Sequence, residues 1–79
     1  MEEIINRVNK IFAEVFGKDF SGKELRELKY KIFPQWDSLA QMTIITKVEE
    51  TFGFFIPFDE MMAIQDYNSA IEYIQSKIK

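Results

Sequence analysis

The sequence predicts a small all-α bundle with three longer helices, one short helix and a long first loop. Three observations predict it. Apolar residues recur at spacings of three and four in three separate windows, which is the helical period. No stretch alternates apolar and polar residues strongly enough to compete as a strand. Gly17 and Gly53 fall where the first two windows end, and Pro57 interrupts the chain before the third. At 79 residues the chain fits one domain, expected to span 1–79.

In the first element Ile4, Val8, Phe12 and Phe16 follow one another at i+4, and Ile5, Ile11 and Val15 widen the stripe. Glu2 and Glu3 fall in its first turn, where the helix dipole favours negative charge, and Gly17 is a natural C′ stop. Residues 18–36 read as a long ordered loop with one helical turn. Ser21 and Glu24 have capping-box spacing, and Leu25 and Leu28 lie in the turn they open. Phe20, Tyr30, Ile32 and Phe33 are further apolar pins to the core, and Pro34 disfavours helix at Phe33.

The second clear helix starts at Asp37-Ser38, both good capping types, and places Leu39, Met42, Ile45, Val48 and Phe52 on its core face. Gly53 ends it. Phe54-Phe55-Ile56-Pro57 reads as an extended connection, and residues 58–64 as about two helical turns with Asp59 and Glu60 near the start. Asp66 is the candidate N-cap of a last helix carrying Tyr67, Ala70, Ile71, Ile74 and Ile78 on one face. Lys77 and Lys79 sit near its C-terminal end.

Composition excludes several chemistries. There is no cysteine, hence no disulfide or thiolate metal site, and no histidine, the commonest general base and metal ligand. A net charge of -3 is unsuited to binding a phosphate backbone, so nucleic acid is not an expected partner. No run approaches the ~20 apolar residues of a membrane span, and Met1-Glu2-Glu3 lacks the plan of a signal peptide, so a cytoplasmic protein without a membrane partner is expected. Glu49-Glu50 and Asp59-Glu60 are sequence neighbours that point in different directions on a helix, a solvated face and not an acid–base pair. With no phosphate loop, metal cluster or nucleophile–base set, an enzyme is not expected.

Ser38 remains. Taken alone, Asp37-Ser38-Leu39 is an ordinary helix cap. In context it is more: Trp36-Asp37-Ser38-Leu39 before an apolar-periodic helix resembles the Asp-Ser-Leu site of the acyl carrier protein family. The resemblance runs on through Glu49-Glu50-Thr51-Phe52-Gly53, Ile56-Pro57, Ile64 and Ala70-Ile71-Glu72-Tyr73-Ile74, covering Trp36 to Ile74. It implies a four-helix carrier fold and a 4′-phosphopantetheine arm, taken from coenzyme A by a phosphopantetheinyl transferase and attached to Ser38. Acyl or aminoacyl intermediates would ride the arm as thioesters to ligase, synthase or transferase partners. Asp37 inherits by position a role in transferase docking, Leu39 completes the site, and a monomer is the family expectation. The alternative is a helical interaction module that keeps the fold and is never modified.

The chain also departs from the family. Carriers of fatty-acid synthesis have an acidic face along this helix; here it reads Ala40-Gln41-Met42-Thr43, Lys47 adds a positive charge, and only Glu49 and Glu50 keep the acidic character. Changed charges imply changed partners, and tryptophan directly before the site resembles specialised, stand-alone carriers of biosynthetic clusters. Trp36 has two readings, an anchor of the loop or part of the partner surface along with Met42, Lys47, Glu49 and Glu50. Val48, Ile56, Met61, Ile64 and Ala70 fall where the family lines its acyl cavity, with ordinary core packing the alternative for each. Met61 stands where some relatives have a smaller residue, which implies a short or polar cargo.

Overall fold

Among the described residues five helical elements follow one another: α1 (Glu2–Phe16), α2 (Gly22–Glu27), α3 (Ser38–Phe52), a 3₁₀-helix (Phe58–Ala63) and α4 (Tyr67–Ile78). The computed structural model describes residues 2–78; the expectations for Met1 and Lys79 lie outside them. The all-α class and the helix order agree with the sequence reading. Among the described residues, no helix is long and apolar enough to cross a membrane.

α1 buries Val8, Ile11, Phe12 and Phe16, while Ile4, Ile5 and Val15 form a half-buried margin. It packs against both α3 and α4, so a single apolar face supports the two helices on which the later motifs lie. Gly17 and Gly53, at φ 70° and 75°, end α1 and α3 in the left-handed region that costs a glycine nothing. Ser21 and Glu24 form the reciprocal capping box: the Glu24 N–H donates to Ser21 Oγ at 3.2 Å and the Ser21 N–H to Glu24 Oε1 at 2.9 Å. The loop that follows is tied to the start of α4 by an antiparallel bridge between Lys29 and Asp66. Asp66 caps α4, its Oδ1 accepting from the Ser69 N–H at 2.8 Å.

The structure corrects the sequence reading at four places. The buried face of α3 is Gln41, Ile44, Ile45 and Val48, whereas Leu39 and Met42 are exposed and Phe52 is half-buried. The helix is rotated because Trp36 is buried just before it and draws Gln41 inward. Ile32 does not pin the loop; it is 74% exposed, whereas Leu25 and Leu28 are buried as expected. Ile78 lies past the last buried turn of α4 and is exposed. The segment after Pro57 is 3₁₀ and not α. Its N-cap has no side-chain hydrogen bond, and the carbonyls of Met61 and Ile64 at its far end are taken by Gln41.

Candidate functional site

The start of α3 is held from beneath by Trp36. Its indole is fully buried, edge-on to Phe12 at 5.3 Å and tilted against Phe16 at 5.8 Å. A buried indole N–H needs a partner, and Nε1–H donates to Gln41 Oε1 at 2.7 Å. The Gln41 amide in turn donates to the Met61 and Ile64 carbonyls at 3.0 and 2.7 Å. One side chain thereby joins the loop before α3, α3 itself and the end of the 3₁₀-helix. Two residues that flank Ser38 closely, Trp36 and Gln41, are thus fixed in the core.

Asp37 is the N-cap. Its backbone is extended, its Oδ1 accepts from the Ala40 N–H at 3.0 Å, and its carbonyl accepts from the Gln41 N–H at 2.9 Å. Capping therefore falls to Asp37 and not to Ser38. Ser38 is the first helical residue and is exposed, with its Oγ 3.3 Å from the Tyr30 hydroxyl. Beyond the Asp37 carboxylate, which caps the positive helix end, no acidic residue lies in the first turn. A hydroxyl on a rigid helix end, reachable from solvent, is suited to being modified by another protein. Asp37, with an oxygen turned to the helix backbone, is placed to hold the turn.

The other residues singled out from the sequence fall into three groups. Leu39 and Met42 stand out from α3 at 76% and 45% exposure, close in sequence to Ser38. Further exposed apolar side chains, Phe55, Phe58 and Met62, come from the connection and the 3₁₀-helix that follow α3. Glu50 is exposed, Lys47 pairs with Glu14 of α1 at 3.4 Å, and the Glu49 carboxylate accepts from the Ile56 N–H at 2.8 Å. Glu49 thus secures the turn out of α3, a structural role the sequence reading did not give it. Trp36 is corrected outright as a docking residue: with no exposed surface it cannot touch a partner, and the anchor reading stands. Val48, Ile56, Ile64 and Ala70 are buried in the core cluster, and Met61 packs against it half-buried.

Electrostatic tuning in this half of the molecule centres on Glu60. Its carboxylate accepts from the Tyr73 hydroxyl at 2.6 Å and pairs with Lys77 at 3.1 Å. The Tyr73 hydrogen bond, then Lys77, holds the Glu60 carboxyl below its ordinary value. Burial first, then that bond and the nearby carboxylates, pushes the Tyr73 phenol up to about 12.

Two residues at the site escaped the sequence reading, Gln41 and Tyr30. The signal for Gln41 was Trp36, a large indole five positions earlier whose N–H must be satisfied if buried. The sequence predicts only a core pin at Tyr30; its half-buried ring serves that purpose while its hydroxyl reaches Ser38.

Comparison with known proteins bears on most of the chain. It is 32% identical over 75 residues to an acyl carrier protein of Lactobacillus johnsonii, covering 95% of this chain and 92% of the relative. It is 32% identical over 73 residues to an acyl carrier protein of Rubrobacter xylanophilus, covering 92% and 89% respectively. No protein-family model and no solved structure matches it.

Proposed function

This chain belongs to the acyl carrier protein family, and on that premise we propose that Ser38 carries a 4′-phosphopantetheine arm received from coenzyme A. The observation that carries the reading is the exposed Ser38 hydroxyl, set at the start of α3 by buried Trp36 and the capping Asp37. The residues fit such a group. The hydroxyl is open to solvent, the first helical turn adds no carboxylate beyond the Asp37 cap, and a second hydroxyl lies beside it. When attached, the arm supplies a terminal thiol that holds acyl or aminoacyl groups as thioesters.

The chain's own residues position, present and discriminate. Asp37 holds the turn and offers its other carboxylate oxygen to a phosphopantetheinyl transferase, which binds the magnesium. Leu39 and Met42 present an apolar surface beside the attachment point and Glu50 a negative charge farther along, while Lys47 is paired with Glu14. Ligases, synthases or transferases that load and unload this carrier accordingly recognise a mainly apolar face. The reading treats residues 1–79 as one carrier domain, monomeric and cytoplasmic, serving fatty-acid, polyketide or other specialised biosynthesis.

The cargo is short or polar. Support comes from the candidate cavity residues Val48, Ile56, Ile64 and Ala70, which are packed into the main core, and from Met61, which lies against it. A series of acyl-coenzyme A donors of increasing length, used with a broad-specificity transferase, tests both parts. Each should leave an acyl group on the Ser38 peptide that hydroxylamine releases, long chains as fast as short ones. Label on another residue overturns the attachment site; protection of the long chains overturns the cargo reading.

A further inference from the structure

We propose that Tyr30 is a positioning residue for the arm, its hydroxyl donating a hydrogen bond to the phosphodiester once Ser38 is esterified; the inference rests on Ser38 being the attachment point. The geometry begins with the 3.3 Å approach of the Tyr30 hydroxyl to Ser38 Oγ. This is longer than the ~2.7–2.8 Å typical of hydroxyl pairs, and it joins neutral groups at an exposed site, where such a bond adds little stability. A contribution to the fold does not account for it.

Main-chain bonds on either side fix where that hydroxyl sits. The Tyr30 N–H donates to the Gln65 carbonyl at 2.8 Å, beside the Lys29–Asp66 bridge. The next residue, Lys31, takes the left-handed conformation at φ 67°, uncommon for a side chain of its size. It is held there by its N–H donating to the Trp36 carbonyl at 2.9 Å. The loop is therefore closed onto the core at Gln65 and at Trp36, with Tyr30 between them. Lys31 also brings its ammonium to 5.6 Å from the centre of the Tyr30 ring, adding a cation to this corner.

Esterification changes what the phenol meets. Free Ser38 Oγ can donate or accept, so the Tyr30 proton has no fixed direction. Esterified Oγ has lost its proton, and the phosphate adds oxygens bearing a full negative charge. The phenol then has a defined role as donor, in the stronger charge-assisted kind of bond. The first bond of the arm is thereby directed along the 29–36 loop instead of pivoting freely about Ser38.

The test begins with loading of wild type and Tyr30→Phe, confirmed by intact mass, followed by phosphorus NMR of both loaded chains. In Tyr30→Phe the phosphodiester resonance should move and narrow, with the melting curve unchanged. A second reading needs no variant. In the loaded wild type the Tyr30 Cζ resonance should shift relative to the unloaded chain, while those of Tyr67 and Tyr73 stay in place. Superimposable phosphorus spectra, or a Tyr30 Cζ resonance unmoved by loading, would overturn the proposal and leave attachment at Ser38 intact. If neither chain gains the mass of an arm, the attachment reading falls and this inference with it.

Discussion

The indole N–H of Trp36 donates to the side-chain carbonyl oxygen of Gln41 at 2.7 Å, and both side chains are buried. This pair sets the rotation of α3, and so decides that Ser38, Leu39 and Met42 face outward. Gln41→Leu would orphan the indole N–H and remove the donor from two carbonyls. At about 1–3 kcal/mol for each unsatisfied buried group, partly relieved by water reaching the 3₁₀-helix, the expected loss is about 2–4 kcal/mol. Urea unfolding followed by Trp36 fluorescence measures it; a loss below about 0.5 kcal/mol would show that the pair does not set the helix.

Asp37 and Ser38 differ in what they do for the fold. Asp37→Ala removes the cap to the Ala40 N–H and should cost about 1 kcal/mol. Ser38→Ala removes an exposed oxygen with no capping role and should stay within about 0.5 kcal/mol of wild type. Equal losses in urea unfolding would mean that the two share the cap.

Much of this was legible in the sequence, and the failures have a common cause. α1 could be read because its apolar stripe is strong and the core covers it from one side; the capping box of α2 and the glycine end of α3 are local chemistry. The face of α3 could not be read from periodicity alone. Leu39 and Met42 have the spacing and the character of core residues, while the buried position between them holds a glutamine; farther along, Ile45 and Val48 are buried as expected. A polar residue in the core and apolar residues on the surface are each costly departures from pattern, and here they fall within four positions of Ser38. Pattern fails where a site has other demands on its residues. Family likeness pointed to Ser38, but the likeness began at Trp36 and gave no sight of Tyr30.

The exposed apolar residues beside Ser38 should matter to partners and not to the fold. Leu39→Asp is expected to leave stability within about 0.5 kcal/mol, since Leu39 is 76% exposed. It should lower the rate of acyl transfer from a cognate partner several-fold. Transfer to the wild type should depend only weakly on salt, because the contact is mainly apolar. A steep fall in rate with salt, and indifference to Leu39→Asp, would show that Glu49 and Glu50 dominate docking.

The Tyr73–Glu60 bond carries a pH signature with both edges set. Glu60 titrates below its ordinary 4.5 in the folded chain, so its contribution is present above that value and is lost as pH falls through the lowered one. Tyr73 is raised from 10.0 to about 12, so its contribution is full below 10.0 and is lost as pH rises towards about 12. The difference in melting temperature between wild type and Tyr73→Phe should be level between those edges and shrink beyond each. A difference that is constant across the whole range would contradict the assignment.

The central claim is that Ser38 is an attachment point for others' chemistry. It is tested most directly by intact mass before and after incubation with coenzyme A, magnesium and a broad-specificity phosphopantetheinyl transferase, with Ser38→Ala alongside. The account predicts a gain of one phosphopantetheine in the wild type and none in the folded variant. A gain in Ser38→Ala would place the site elsewhere. No gain in either folded chain with several transferases would contradict the claim and favour an unmodified helical interaction module.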